Sequence, residues 1–211
     1  MKRKNQNIIV SGIDIVIIKS QIIFSTLISK ISLNFQGCSY GLSFTTSWKC
    51  FFKAYKSGSI IIRDRVKLFS AHRTNRIGLL NPVLIETIKN GIIEIGNDSG
   101  CSSVVISARS SIKIGNRVKI GANVRILDHD FHSLDYKKRN SKDDKSDIKS
   151  KPIVISDDVF IGTNSIILKG VKIGRGVIVG AGSVVCLKEI PENVIIAGNP
   201  AKIINRNSKH V

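Results

Sequence analysis

Ile155, Ile161, Ile167, Ile173, Val179 and Val185 stand six residues apart, and Ile114, Ile120 and Ile126 keep the same step upstream. The residue after the landing is often glycine: Gly115, Gly121, Gly162, Gly174 and Gly180. A period of six fits neither the rhythm of an amphipathic helix nor the alternation of a hairpin sheet. It fits a parallel β-helix, in which a short strand and a turn form one side and three sides complete a coil of about 18 residues. The aliphatic residue points inward and stacks on its equivalent roughly 4.8 Å away in the next coil. Glycine is expected to ease the tight corner. Aromatics are only 6% of a chain that is 42% hydrophobic, so the core must be built from Ile and Val, which suit strands. With 211 residues there is room for one sizeable domain and a small appendage.

The expected fold is therefore all-β. A parallel β-helix covers 58–190, an N-terminal extension packs on it over 1–57, and a C-terminal segment follows over 191–211. "SIIIRDRVKLFS" (59–70) reads as an early coil, and residues 92–115 carry Ile95, Cys101 and Ile106 or Ser107 before slipping one residue ahead of Ile114. Between them, "HRTNRIGLLNPVLIETIKNG" (72–91) reads as a loop. The N-terminal "IIVSGIDIVIIKSQIIFSTLISKISLNF" is apolar, but Asp14, Lys19 and Lys30 interrupt it. We expect strands or a short amphipathic segment there rather than a spanning helix, with a membrane-surface anchor as the alternative. No small-residue cleavage site follows it, which argues against a signal peptide.

The formal net charge of +18 calls either for an anionic partner or for a solvated, lysine-rich surface. No RNP-like, zinc-finger or helix-turn-helix signature points to nucleic acid, and no GxxxxGK[ST] phosphate loop is present. Cys38, Cys50, Cys101 and Cys186 are scattered without a CxxC pair, as expected of reduced thiols in a cytoplasmic protein.

Between Ile126 and Ile155 the rhythm breaks, and the loop 127–152 is inserted. It opens on "HDFHSLDYKKR", with two of the chain's four histidines, His129 and His132. His72 lies in an upstream loop and His210 at the C-terminus.

"IGNRVKIGANVRI", the histidine loop, "KPIVISDDVFIGTNSIILKGVKIGRGVIVGAGSVV" and "IPENVIIAGNPAKII" together resemble the hexapeptide-repeat acyltransferases, in particular the maltose/galactoside acetyltransferase-like branch. The resemblance covers about 92–206. It implies a left-handed β-helix, a homotrimer, acetyl-CoA lying along the groove between neighbouring β-helices, and a loop histidine as general base. It also implies acetyl transfer to a hydroxyl of a sugar, in surface polysaccharide biosynthesis; the scattered cysteines make a cytoplasmic protein the expectation, and the positive charge could hold it at the inner face of the membrane.

The chemistry agrees. A sugar hydroxyl is hardly ionised at neutral pH and needs a base as it attacks a thioester, and neutral imidazole suits that task. "HSLDYKKR" resembles the family's His-Pro-Leu-Asp-Pro stretch, with Ser133 and Tyr136 in place of the two prolines. His132 is the expected base and His129 the alternative, and Asp128, Asp130 and Asp135 could orient the ring. For the donor, small residues at Gly162, Thr163, Gly180, Ala181 and Gly182 would let the pantetheine arm lie close. By the resemblance, Phe160, Thr163, Ala181, the 186–188 corner and Lys202 match CoA-contacting positions. Lys188, Lys202 and Arg206 would meet phosphates. One departure is "VCLKEIP" (185–191), a residue longer than the family's Val-Thr-Lys-Asp-Ile-Pro. Asn81, Ser102 and Ser103 are candidates for the acceptor pocket.

Other readings are an N-acetyltransferase acting on an amino sugar or small molecule, a γ-carbonic-anhydrase-like zinc protein, and a noncatalytic binder of anionic surfaces. The zinc reading finds two ligands in His129 and His132 but no evident third, and no metal is expected.

Overall fold

The hexad residues become three internal columns. A computed structural model describes residues 2–70 and 80–206 and shows seven successive coils. After a helix, α1 (Lys2–Phe35), the first coil is β1 (Ser39–Tyr40), β2 (Thr45–Ser47) and β3 (Cys50–Lys53). The second is β4 (Ile60–Ile62), β5 (Lys67–Phe69) and β6 (Val83–Thr87), and the third is β7 (Ile92–Ile95), β8 (Gly100–Ser102) and β9 (Val105–Ala108). The fourth is β10 (Ser111–Ile114), β11 (Lys119–Ile120) and β12 (Arg125–Leu127). After the inserted loop come β13 (Ile153–Ile155), β14 (Phe160–Ile161) and β15 (Ile166–Leu168), then β16 (Lys172–Ile173), β17 (Ile178–Val179) and β18 (Val184–Val185). The last coil holds β19 (Glu189–Ile190) and β20 (Val194–Gly198), and β21 (Ala201–Arg206) folds back antiparallel on β20.

The first strands of the coils form one parallel sheet, the second strands another and the third strands a third; we call these sheets A, B and C. In sheet A, Ile62, Ile95, Ile114, Ile155, Ile173 and Ile190 lie in register and are buried. In sheet B the column runs Leu68, Cys101, Ile120, Ile161, Val179 and Ile196, and in sheet C it runs Ile85, Ile106, Ile126, Ile167 and Val185. Three steps of six lead from a residue to its equivalent one coil on, so the sequence period and the three-sided cross-section are one fact.

Four expectations are corrected. The parallel stack starts at residue 39 rather than 58, because β1 pairs with β4, β2 with β5 and β3 with β6. Its inward residues are Phe44, Thr46 and Phe52, which no aliphatic count detects. The apolar N-terminal segment is a 34-residue helix, not strands. Within 72–91, residues Val83–Thr87 are a strand, β6, in sheet C.

The hexad glycine, finally, is not a left-handed corner. A Cβ on Gly115 would sit 2.7 Å from the Asp157 nitrogen, and one on Gly162 would sit 2.5 Å from the Ala181 nitrogen, so close approach of the next coil requires glycine there. The positive φ falls two residues later, at Arg117 (56°) and Asn164 (60°). Asp157 stabilises the corner between sheets A and B: its Oδ1 accepts from the Asn116 N–H at 2.8 Å, and Asn116 in turn accepts from the Asn97 N–H at 2.9 Å.

Candidate active site

The inserted loop leaves the coil where sheet C passes to sheet A, after β12, and returns to β13. Its two ends are tied together. The Lys151 N–H donates to the Asp128 carbonyl at 2.8 Å, the Asp130 N–H donates to the Lys149 carbonyl at 3.0 Å, and His129 bridges Ser150. Asp128 is fully buried and fastens this foot to the coil beneath: its carboxylate accepts the N–H groups of Arg109 and Ser110, each at 2.7 Å. Its Oδ1 also lies 3.0 Å from His129 Nδ1.

His129 is buried, with its ring 4.8 Å from that of Phe131. Among the described residues its Nε2 has no partner, and neither does the buried Oδ2 of Asp130, whose other oxygen pairs with Lys169. Two orphaned polar atoms in one loop foot are costly unless something completes them.

His132 is in a different setting. Its side chain is 68% exposed, and its Nδ1 lies 2.7 Å from Asp144 Oδ2. The other oxygen of Asp144 accepts the Ser133 N–H at 2.7 Å. That N–H, and then the His132 ring, hold the Asp144 carboxyl below its usual range, so it stays ionised. An ionised carboxylate on Nδ1 favours the tautomer with its proton there and leaves the Nε2 lone pair toward solvent. Ser133 is the centre of the loop: its hydroxyl donates to Asp147 at 2.7 Å and its carbonyl accepts from Arg139 at 2.8 Å. Asp147 also takes Lys149 and Lys138, which together with Ser133 depress its carboxyl strongly. A proline at 133 could donate neither the N–H nor the hydroxyl bond. A single helical turn, α2 (Tyr136–Arg139), closes this part of the loop.

Of the three aspartates expected to orient the base, none holds His132. Asp128 holds His129, Asp130 pairs with Lys169, and Asp135 caps α2 by accepting the Lys137 N–H at 2.9 Å. The residue that does hold it, Asp144, escapes a reading of the sequence; it lies twelve positions from His132, and only the fold of the loop brings it near.

The donor candidates lie mostly on another side of the coil. Phe160 is exposed on β14 in sheet B, while Gly162, Thr163, Gly180 and Ala181 follow β14 and β17 at the corner between sheets B and C. Lys202 is exposed on β21, paired with Ala197 at the end of sheet B. Lys188 alone follows β18 on the corner that carries the histidine loop one coil pair earlier. The side chain of Arg206, and the whole of His72 and His210, lie outside the described residues. Phe160 borders a groove of about 710 Å³ on sheet B, whose walls include Lys67, Lys119, Arg65, Gly121 and Ala122. In the sequence these cations carry no signal of their own, because they are the outward residues of hexads.

The acceptor candidates divide. Ser103 is a buried corner residue with φ 53°, bonded to the Asn81 backbone through its hydroxyl, so it serves the fold. Asn81 is exposed beside it, and Ser102 lines the sheet B groove. None of the three is on the corner that bears the histidines. The four cysteines are unpaired, and burial pushes the Cys50 thiol up to about 11.

Comparison with known proteins places the chain among the hexapeptide-repeat transferases. The family described as "Bacterial transferase hexapeptide (six repeats)" matches residues 152–186. WbbJ of Escherichia coli, whose name assigns it to O-acetyl transfer in lipopolysaccharide biosynthesis, is 35% identical over 143 residues, 65% of this chain and 70% of WbbJ. An acetyltransferase-named protein of Schizosaccharomyces pombe is 45% identical over 95 residues, and the chain spans only 43% of that relative's length. Among solved structures, AntD of Bacillus cereus superposes with a TM-score of 0.66 at 20% identity, over 85% of this chain and 89% of AntD. AntD is an N-acyltransferase in complex with dTDP-4-amino-4,6-dideoxyglucose and coenzyme A.

Proposed function

We propose that this chain, which belongs to the hexapeptide-repeat transferase family, is an acetyltransferase that moves an acetyl group from acetyl-CoA to a sugar hydroxyl. The observation that carries the reading is the His132–Asp144 pair on a loop inserted into an otherwise repetitive scaffold. Coils of Ile and Val hold no catalytic group; the loop supplies one.

Acetyl-CoA supplies the activated acyl group. The chain's part is to place the acceptor and remove its proton. His132 Nε2 takes the hydroxyl proton as the oxygen attacks, Asp144 keeps the ring in the accepting tautomer and stabilises the imidazolium, and the ring then returns the proton to the departing thiolate. The small residues at Gly162, Thr163, Gly180 and Ala181 leave the coil surface open to a pantetheine arm, and Lys202 and Lys188 suit anionic phosphates.

The histidine loop and the sheet B groove lie on different sides of one chain, which supports a homotrimer whose sites combine the loop of one chain with the groove of its neighbour. We take the coil to be left-handed, as in the family, and the protein to work at the cytoplasmic side of the membrane. WbbJ's name supports a surface polysaccharide as the destination of the acetyl group. AntD, as an N-acyltransferase, makes an amino sugar the second acceptor class to assay.

A second reading gives the base to His129, because its Nδ1 is held by Asp128 and its Nε2 is free. We favour His132 because its ring reaches solvent, whereas that of His129 is closed in. Single alanine variants of each histidine, assayed with acetyl-CoA and a panel of sugars, decide between them. Stoichiometric zinc in the purified protein, with no acetyl transfer, would overturn both in favour of a carbonic-anhydrase-like site.

A further inference from the structure

Helix α1 is mounted with its polar side inward. Ser25, Ser29 and Leu33, four residues apart, face the first coil and are buried. Ser25 Oγ donates to the Thr46 carbonyl at 2.6 Å, and Ser29 Oγ lies 3.1 Å from Thr46 Oγ1. The outward side carries Ile23, Phe24, Leu27, Ile28 and Ile31, between 45% and 70% exposed. A surface helix of a globular protein buries its apolar stripe and exposes its polar one; α1 buries two serines and one leucine and leaves most of its large apolar side chains exposed.

The apolar surface continues onto the first coil. Trp48 and Phe51, each 50% exposed, join Phe24 and Ile28 around a groove of about 540 Å³ with Lys49 among its walls. Contiguous exposed apolar surface on this scale marks an interaction face.

We propose that this face of α1, together with Trp48 and Phe51, docks on an anionic lipid bilayer, with the helix lying in the plane of the interface. The stretch Ile15–Phe35 is 21 residues long and apolar enough to cross a membrane by length and composition. Its attachment rules for the in-plane arrangement: Ser25, Thr26 and Ser29 bond the first coil, as does Gln36 just after the helix, so one side of the helix is committed to protein and the other is left for lipid. Tryptophan and lysine beside an apolar face suit the headgroup boundary. Charge selects the occupant. The chain carries a formal +18, with Lys19, Lys49 and Lys53 exposed on this end. A second copy meeting through this face would set these three lysines against their own equivalents, whereas an anionic lipid surface neutralises them. The proposal does not depend on the acetyltransferase reading.

Trp48 is the only tryptophan, so its emission reports this site alone. The full chain is mixed with vesicles of phosphatidylcholine plus phosphatidylglycerol, and with vesicles of phosphatidylcholine alone. The expected result is a blue shift and quenching by acyl-brominated lipid with the anionic vesicles, and binding about tenfold weaker to the neutral ones. Phe24→Asp with Ile28→Asp should weaken binding by at least about tenfold while the circular dichroism of the coils is unchanged. Vesicle binding that salt abolishes, with Trp48 emission unmoved, would reduce the contact to charge adsorption and overturn insertion. Absence of binding, with lipid-free self-association that the double variant abolishes, would give the face to a second copy instead.

Discussion

At the scale of single residues, the proposed reaction rests on one imidazole and the groups that aim it. His132→Ala should lower kcat at least about a hundredfold, the lower end of what a general base supplies, with acetyl-CoA affinity little changed. Asp144→Asn should lose less, about tenfold, because the ring remains but its tautomer is no longer held. As a positioning residue, Asp144 should also alter the acid limb of the kcat/KM profile, which a merely structural role would leave alone. Ser133→Pro restores the residue usual in the family yet removes the N–H that fixes Asp144, so we expect it to lower activity here rather than raise it. The pH sign for Asp144 follows from its lowered carboxyl. The bonds it makes when ionised contribute fully above the ordinary aspartate range, about 3.9, and are lost as pH falls through its lower folded value. Hydrogen-exchange protection of the Ser133 amide should fall in that acid window and stay level above it.

At the scale of elements, the hexad was legible because each landing is a β-branched or aliphatic residue in a stacked column, and the column repeats every coil. The one-residue slip before Ile114 is equally readable, since Ile93 and Ile112 lie in register but 19 positions apart. The first coil was hidden because Phe44, Thr46 and Phe52 fill its interior and α1 covers its end. The helix was hidden because Asp14, Lys19 and Lys30 interrupt its apolar run and its buried side mixes Ser25 and Ser29 with Leu33. The role of the hexad glycine was misassigned because contact between coils leaves the same mark in sequence as a turn. Gly115→Ala tests the revised role: its new Cβ would meet the backbone of Ser156 and Asp157, and a crowded packed site costs roughly 1–3 kcal/mol. Thermal unfolding should show that loss without a change in coil number.

At the scale of the whole molecule, the histidine loop and the sheet B groove lie on different sides of one chain, and this drives the expectation of an assembly. Sedimentation should give a trimer at micromolar concentration; a monomer there that was fully active would refute a site shared between chains. In the trimer, Lys188→Ala with Lys202→Ala should raise the donor KM several-fold and spare kcat. A site divided between neighbouring chains was what the family resemblance implied, but nothing in the linear pattern told that Asp144 would return to His132. Both depend on where an inserted loop leaves and rejoins a three-sided coil.

The role of His132 as proton acceptor is tested most sharply by the rate of thiol release from acetyl-CoA, with a panel of sugar acceptors, for the native chain and for His132→Ala. We predict acceptor-dependent release by the native chain and at least about a hundredfold less by the variant, with acetyl-CoA still bound. Near-native release by His132→Ala would contradict that role.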